Sequence, residues 1–218
     1  MYDLPLFPLN TVLFPGTPLQ LHIFEERYKK MIGVCLEERR SFGVVLIRQG
    51  SEARGALAEP HTIGTSAQII HVQHLSQGRL NIVSMGQGRF RIHSIDKETY
   101  PYLMGKVENL PLRNPNPKIV DGMARELRPR VENFIQALVK AGNGDFDIQQ
   151  LPEDSISLAY MSAALLHSPP AQKQQILAID QAEILLSSLH STFQKEYGLL
   201  KAMLNEVNIL QSGGFSRN

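Results

Sequence analysis

From Leu4 to about Leu110 the apolar residues fall mostly at every second position, and Gly or Pro turns punctuate them. Leu19, Leu21 and Ile23 alternate with Gln20 and His22, and Phe90 and Ile92 alternate with Arg89, Arg91 and His93, the pattern of strands with one buried face. The opening segment is different. Pro5, Pro8 and Pro15 interrupt a run dense in Leu, Val and Phe, which predicts an extended edge strand followed by a tight Pro15-Gly16 turn. Between Ile69 and Ile92 the Ser76-Gln-Gly turn joins two strands as a hairpin. One helix breaks the β pattern, from about Glu25 to Arg40, with Tyr28, Met31, Ile32, Cys35 and Leu36 on one face, acids at its start and arginines at its end.

A linker follows at Leu112-Arg-Asn-Pro-Asn-Pro117, whose X-Pro units resist helix. Beyond it the period becomes 3.6. Ile119, Val120, Met123, Leu127, Val131, Phe134, Ile135 and Leu138 form a helical stripe, expected to kink or break at Pro129, and Gly142-Asn-Gly-Asp145 ends it. Shorter helices are predicted over about Glu153–Leu166 and Pro170–Ile179, the second capped by Ser168 with Pro169 in its first turn. A long last helix opens at Asp180-Gln-Ala-Glu183 and runs to about Leu210, carrying Leu186, Leu189, Phe193, Tyr197, Leu200, Leu204 and Val207 at spacings of three and four. The expected domains are therefore 1–112, a β-subdomain with one helix, and 118–211, a helical subdomain, with 212–218 a disordered tail.

The segment Leu4-Pro-Leu-Phe-Pro-Leu-Asn…Leu13-Phe-Pro-Gly16 closely resembles the opening of the Lon protease N-terminal domain family. Phe42-Gly-Val-Val-Leu-Ile, Ile63-Gly-Thr through Gly88-Arg-Phe-Arg-Ile92, and Tyr100-Pro-Tyr-Leu…Val107-Glu108 resemble later strands of that family, in the same order. The resemblance implies an α+β protein: a PUA-like β-barrel followed by a C-terminal helical bundle with a long last helix. Full-length Lon proteases continue into an ATPase domain and a protease domain with a serine-lysine dyad. This chain stops at Asn218, so the implied role is recognition of peptides or unfolded protein segments, without catalysis, with a protease or chaperone as an associating partner.

Composition narrows the alternatives. With 22 basic and 21 acidic side chains the balance is neutral, which argues against nucleic acid as a partner. Arg79, Arg89 and Arg91 lie along one hairpin, with Arg48 on a strand nearby in sequence, and Arg89 and Arg91 share a strand face as a small basic stripe, so RNA binding is the rival reading. The spacing of the last helix would also suit a scaffold that pairs with another protein or with its own copy, a homo-oligomer. A single cysteine, Cys35, cannot form an internal bridge and fits a reducing cytoplasm, and no stretch approaches the ~18 apolar residues that span a bilayer, so no membrane partner is expected.

Catalytic signatures are absent from the sequence: no phosphate-cradling loop and no Gly-x-Ser-x-Gly elbow occur. Gly86-Gln-Gly88 lacks the third glycine of a dinucleotide loop and reads as a hairpin or bulge. His22-Ile-Phe-Glu25-Glu26 has Glu where an inverted zinc motif needs its second His, and His71 and His74 point to opposite strand faces. No metal, cofactor or catalytic residue is expected.

The candidate peptide-binding residues are aromatic: Phe14, Phe24 and Tyr28 beside the proline-rich strand, where a peptide would add as a strand or insert apolar side chains, and Tyr100 and Tyr102 near a crevice between the two halves. Phe24 is expected to be mostly buried, and Tyr28, with its polar tip, to be the contact.

Overall fold

Both faces of the first strand are apolar, and both are buried. In the computed structural model, which describes residues 1–50, 58–142 and 147–212, with side chains described to 202, strand β1 spans Tyr2–Leu9. Its Leu4 and Leu6 enter one buried cluster with Val45, Phe90, Ile92, Leu103 and Val107, while Phe7 and Leu9 enter a second with Phe42, Val44 and Tyr102. The protein is α+β. Its other strands are β2 (Pro18–Ile23), β3 (Phe42–Gln49), β4 (Glu59–Pro60), β5 (Ile63–His74), β6 (Leu80–Asp96) and β7 (Leu103–Asn109). Its helices are α1 (Glu26–Glu37), α2 (Pro117–Lys140), α3 (Ser155–Leu165), α4 (Pro170–Ala178) and α5 (Ala182–Ser212).

Strand β1 is not at an edge, as its prolines suggested. It pairs antiparallel with β7 over Tyr2–Leu6 and parallel with β3 over Leu6–Leu9. The change of neighbour at Leu6 explains how prolines are tolerated: Pro5 and Pro8 each lie on a stretch with one paired side, so each missing N–H can face the unpaired side. Pairings of β7 with β6, β6 with β5, and β5 with β3 then close a ring of five strands. Strands β2 and β4 lie outside it, on β6 and β3 respectively.

The long β6 serves two neighbours, β2 through residues 80–85 and β7 through residues 90–96. Its change of course falls at Gly86. Thr65 pairs with Arg89 but Ala67 with Gly86, so β6 carries one extra residue there, a bulge. The Phe14 carbonyl oxygen comes so close that a Cβ on Gly86 would stand 2.3 Å from it, which only glycine allows. Opposite lies the expected turn: Gly16 has φ 76°, Thr17 N–H donates to Phe14 O at 3.2 Å, and Pro15 takes the preceding turn position.

Helix α1 lays Tyr28, Met31, Ile32 and Cys35 on the second cluster, as its periodicity predicts. It ends at Glu37, before the arginines, because Arg39 takes a left-handed φ of 50°. Burial pushes the Cys35 thiol up to about 11, which keeps it protonated and unreactive at neutral pH.

Contacts divide the chain into two units, Met1–Arg113 with Ser168–Asp180, and Asn114–His167 with Gln181–Asn218. Helix α4 thus belongs to the first, although its sequence neighbours α3 and α5 belong to the second. It is capped by Pro169 with Pro170 at its first position, one residue later than expected, and Ser168 lies outside it. Gln174 donates to Ile63 O of β5 at 3.0 Å, and Arg89 of β6 donates to the Leu177 and Ile179 carbonyls at the C-terminal end of α4, the first at 2.8 Å.

In the second unit α2 runs unbroken through Pro129, whose side chain is exposed, so the ring meets solvent and one backbone bond is forgone. Asn116 donates to Glu183 at 2.9 Å and His190 to Met123 O at 3.0 Å, so α2 and α5 run in the same direction. Phe134 and Phe193 meet edge-on between them, with centroids 5.3 Å apart. Leu186, Leu189 and Phe193 of the predicted stripe are buried; the side chains of Leu204 and Val207, and all of Asn143–Asp145 and the tail beyond 212, fall outside what is described.

Candidate functional site

Two charge-free tracts, residues 10–24 and residues 61–88 with Arg79 alone excepted, meet on one face of the first unit. In β2, Leu19 and Leu21 pack on the second cluster and Ile23 is buried within it. Alternation turns Pro18, Gln20 and His22 the other way, where they are exposed. Register places Gln20 opposite Val83 and Val83 opposite His71, and in the next row His22 opposite Asn81 and Asn81 opposite Gln73. Met85 stands between Pro18 and Gln68. An extra residue in β5, Ile70, bulges outward at 57% exposure. Among the described residues this face carries no Asp, Glu, Lys or Arg.

Hydrogen bonds fix the row nearest the helix. His22 Nδ1 lies 2.7 Å from Asn81 Oδ1, and Asn81 Nδ2 donates to Gln73 Oε1 at 3.1 Å. Because the Asn81 oxygen can only accept, His22 Nδ1 carries the proton. The His22 ring in turn stacks on Phe24, 5.9 Å between centroids, and leaves Phe24 53% exposed. A large aromatic ring so held, with its entropy already restricted, is a suitable apolar anchor for a partner.

The five sequence candidates separate sharply. Phe14 is fully buried beneath the Pro15-Gly16 turn and holds the bend of β6. Tyr28 is 5% exposed, stacked on Phe7 at 4.0 Å with the Arg27 guanidinium 4.6 Å from its ring centre, so the expected order of Phe24 and Tyr28 is reversed. The helix period wins over the polar tip of Tyr28, since position 28 shares a face with Met31, Ile32 and Cys35. Tyr102 is buried in the same cluster, and that burial raises its phenol pKa above the ordinary value. Tyr100 remains exposed at 41% and stacks on Tyr102 at 5.5 Å. Gln20, Val83, Met85 and Ile70 were not singled out from the sequence; the charge-free tracts that contain them were the available signal.

The basic stripe does not survive folding. Arg89 is buried under α4, Arg48 pairs with Glu59 at 2.8 Å, and Arg79 is bound to its own turn at Ser76. Among the described residues no group of three His, Cys, Asp or Glu side chains is placed to hold a metal ion, and no helix is long and apolar enough to cross a membrane. In the second unit a shallow groove of about 510 Å³ lies between α2 and α5, lined by Met123, Glu183, Ile184, Ser187, Ser188 and Ser191.

A family model described as the ATP-dependent protease La (LON) substrate-binding domain matches residues 3–195. Among curated proteins, the Lon protease of Paraburkholderia phytofirmans is 31% identical over 182 residues, covering 80% of this chain and 22% of that protein. The Lon protease of Anaeromyxobacter dehalogenans is 23% identical over 216 residues, covering 98% of this chain and 25% of that protein. The chain thus spans about a quarter of the length of these relatives. Two solved structures are similar: a Lon N-terminal domain protein from Xanthomonas campestris, with TM-score 0.63 and 25% identity, and the N-terminal domain of a Mycobacterium avium complex Lon protease, with TM-score 0.67 and 17% identity. Each covers 88% of this chain and is itself 98% covered.

Proposed function

Since the chain belongs to the Lon substrate-binding-domain family, we propose that it recognises unfolded polypeptide segments, without catalysis of its own, through the charge-free face built on β2, β6 and β5. The observation that carries this reading is Phe24: a large ring, 53% exposed, held by His22 at the margin of a face that mixes apolar and amide side chains. Such a surface suits exposed hydrophobic sequence of many kinds, because amides can bond any backbone and no fixed charge rejects a partner. Nucleic acid is the weaker reading, since three of the four arginines that suggested it are engaged within the protein.

The test is Phe24→Ser against fluorescein-labelled casein as an unfolded probe. Binding is expected to weaken about tenfold, the scale of an aromatic anchor. The melting temperature should shift by only about 1–2 °C, because an exposed ring contributes little to the fold. Unchanged affinity in the variant would remove Phe24 from the binding surface.

A further inference from the structure

On the reading that the β2 face recognises unfolded polypeptide, the backbone of β2 shows how. Gly86 donates its N–H to Thr17 O at 3.0 Å and accepts from Gly16 N–H at 2.8 Å, so the β2 ladder starts there in a bonded position. Pro18, opposite Met85, has no N–H to give, as the next, unbonded pair requires. Antiparallel alternation then directs the backbone of Leu19, Leu21 and Ile23 toward β6, and that of Gln20 and His22 away from it. Among the described residues β6 is the only strand paired with β2. An edge of this kind templates further strands unless charge, bulge or proline blunts it, and β2 carries no charged residue and one proline, at its first position.

We propose that β2 receives an extended, uncharged segment of an unfolded polypeptide as an added strand, paired to the outward N–H and C=O groups of Gln20 and His22, with an apolar side chain of that segment resting on Phe24. The missing charge on β2 and on the adjoining face supplies the selectivity. A segment with Lys, Arg, Asp or Glu at alternate positions would leave those charges without partners and partly desolvated, whereas Val, Thr, Gln or Phe would not.

Gln20→Pro against Gln20→Ala separates backbone from side chain, because both remove the amide but only proline removes the outward N–H. Position 20 tolerates proline, since its N–H makes no bond to β6. A fluorescent peptide repeating Thr-Val-Gln-Val is the probe, beside the same peptide N-methylated at alternate amides. Gln20→Ala should lose only the side-chain amide's share, about twofold, Gln20→Pro should bind about tenfold more weakly than Gln20→Ala, and the N-methylated peptide more weakly to all forms, the effect of losing a directional backbone bond. Equal binding of methylated and unmethylated peptide to the wild-type protein would overturn strand addition even if Gln20→Pro failed to fold. Phe24-dependent casein binding that persists beside such indifference would leave the recognition reading standing and strand addition alone refuted. A concentration-dependent dimer in sedimentation, dissolved by Gln20→Pro and undisturbed by peptide, would assign the edge to a second copy of the chain instead.

Discussion

Tyr28→Ser is expected to destabilise the protein by about 3–5 kcal/mol, the range for losing a buried aromatic side chain. Three packing facts set this magnitude. The ring is 5% exposed, lies parallel to Phe7 at 10° and 4.0 Å, and closes a cluster with Met31, Ile32 and Cys35. Serine would leave a cavity against Phe7 and forfeit the Arg27 contact to the ring. Urea titration measures the effect as a lower midpoint at an unchanged slope, and thermal melting as a fall of roughly 6–20 °C. A Tyr28→Ser protein as stable as wild type that no longer bound casein would return Tyr28 to the surface.

Arg89→Ala comes next, at about 3 kcal/mol. Arg89 is 4% exposed, and its guanidinium donates to two carbonyls at the C-terminal end of α4, where the partial negative charge of the helix concentrates. Hydrogen bonds from a charged donor contribute roughly 1.5–3 kcal/mol each, and relief of the buried charge offsets part of their loss. Lysine should restore only some of the stability, since a single ammonium on a flexible stem does not reproduce the guanidinium fork. Amide exchange at Leu177–Ile179 should accelerate in the alanine variant, because α4 would lose its anchor on β6 and retain Gln174 on Ile63. Unaltered protection there would show that apolar packing by Ile176 and Leu177, and not Arg89, holds α4 in place.

Where local rules decide, the sequence was a sufficient guide. The period of two, the hairpin at Ser76, the Pro15-Gly16 turn and the inward face of α1 all follow from steric preference and apolar spacing. Phe24 was legible too: extending the alternation of Leu19, Leu21 and Ile23 puts it outside with Gln20 and His22, although the change of period at α1, two residues on, obscures that register. Topology was not legible. That β1 exchanges β7 for β3 at Leu6 depends on pairings between residues some forty and a hundred positions apart, which no local pattern encodes. Nor did the sequence reveal that α4 docks on the sheet, because its polar anchors, Arg89 and Gln174, are residue types ordinarily found in water. The same blind spot produced the basic stripe, which requires Arg89 at the surface.

The most direct test of recognition through the β2 face is amide hydrogen exchange with and without a permanently unfolded polypeptide, such as reduced and carboxymethylated lactalbumin. Added polypeptide should slow exchange in residues 18–24 and 80–85 while leaving α2, α3 and α5 unchanged. Protection confined to those helices, with β2 exchanging as in the free protein, would contradict it.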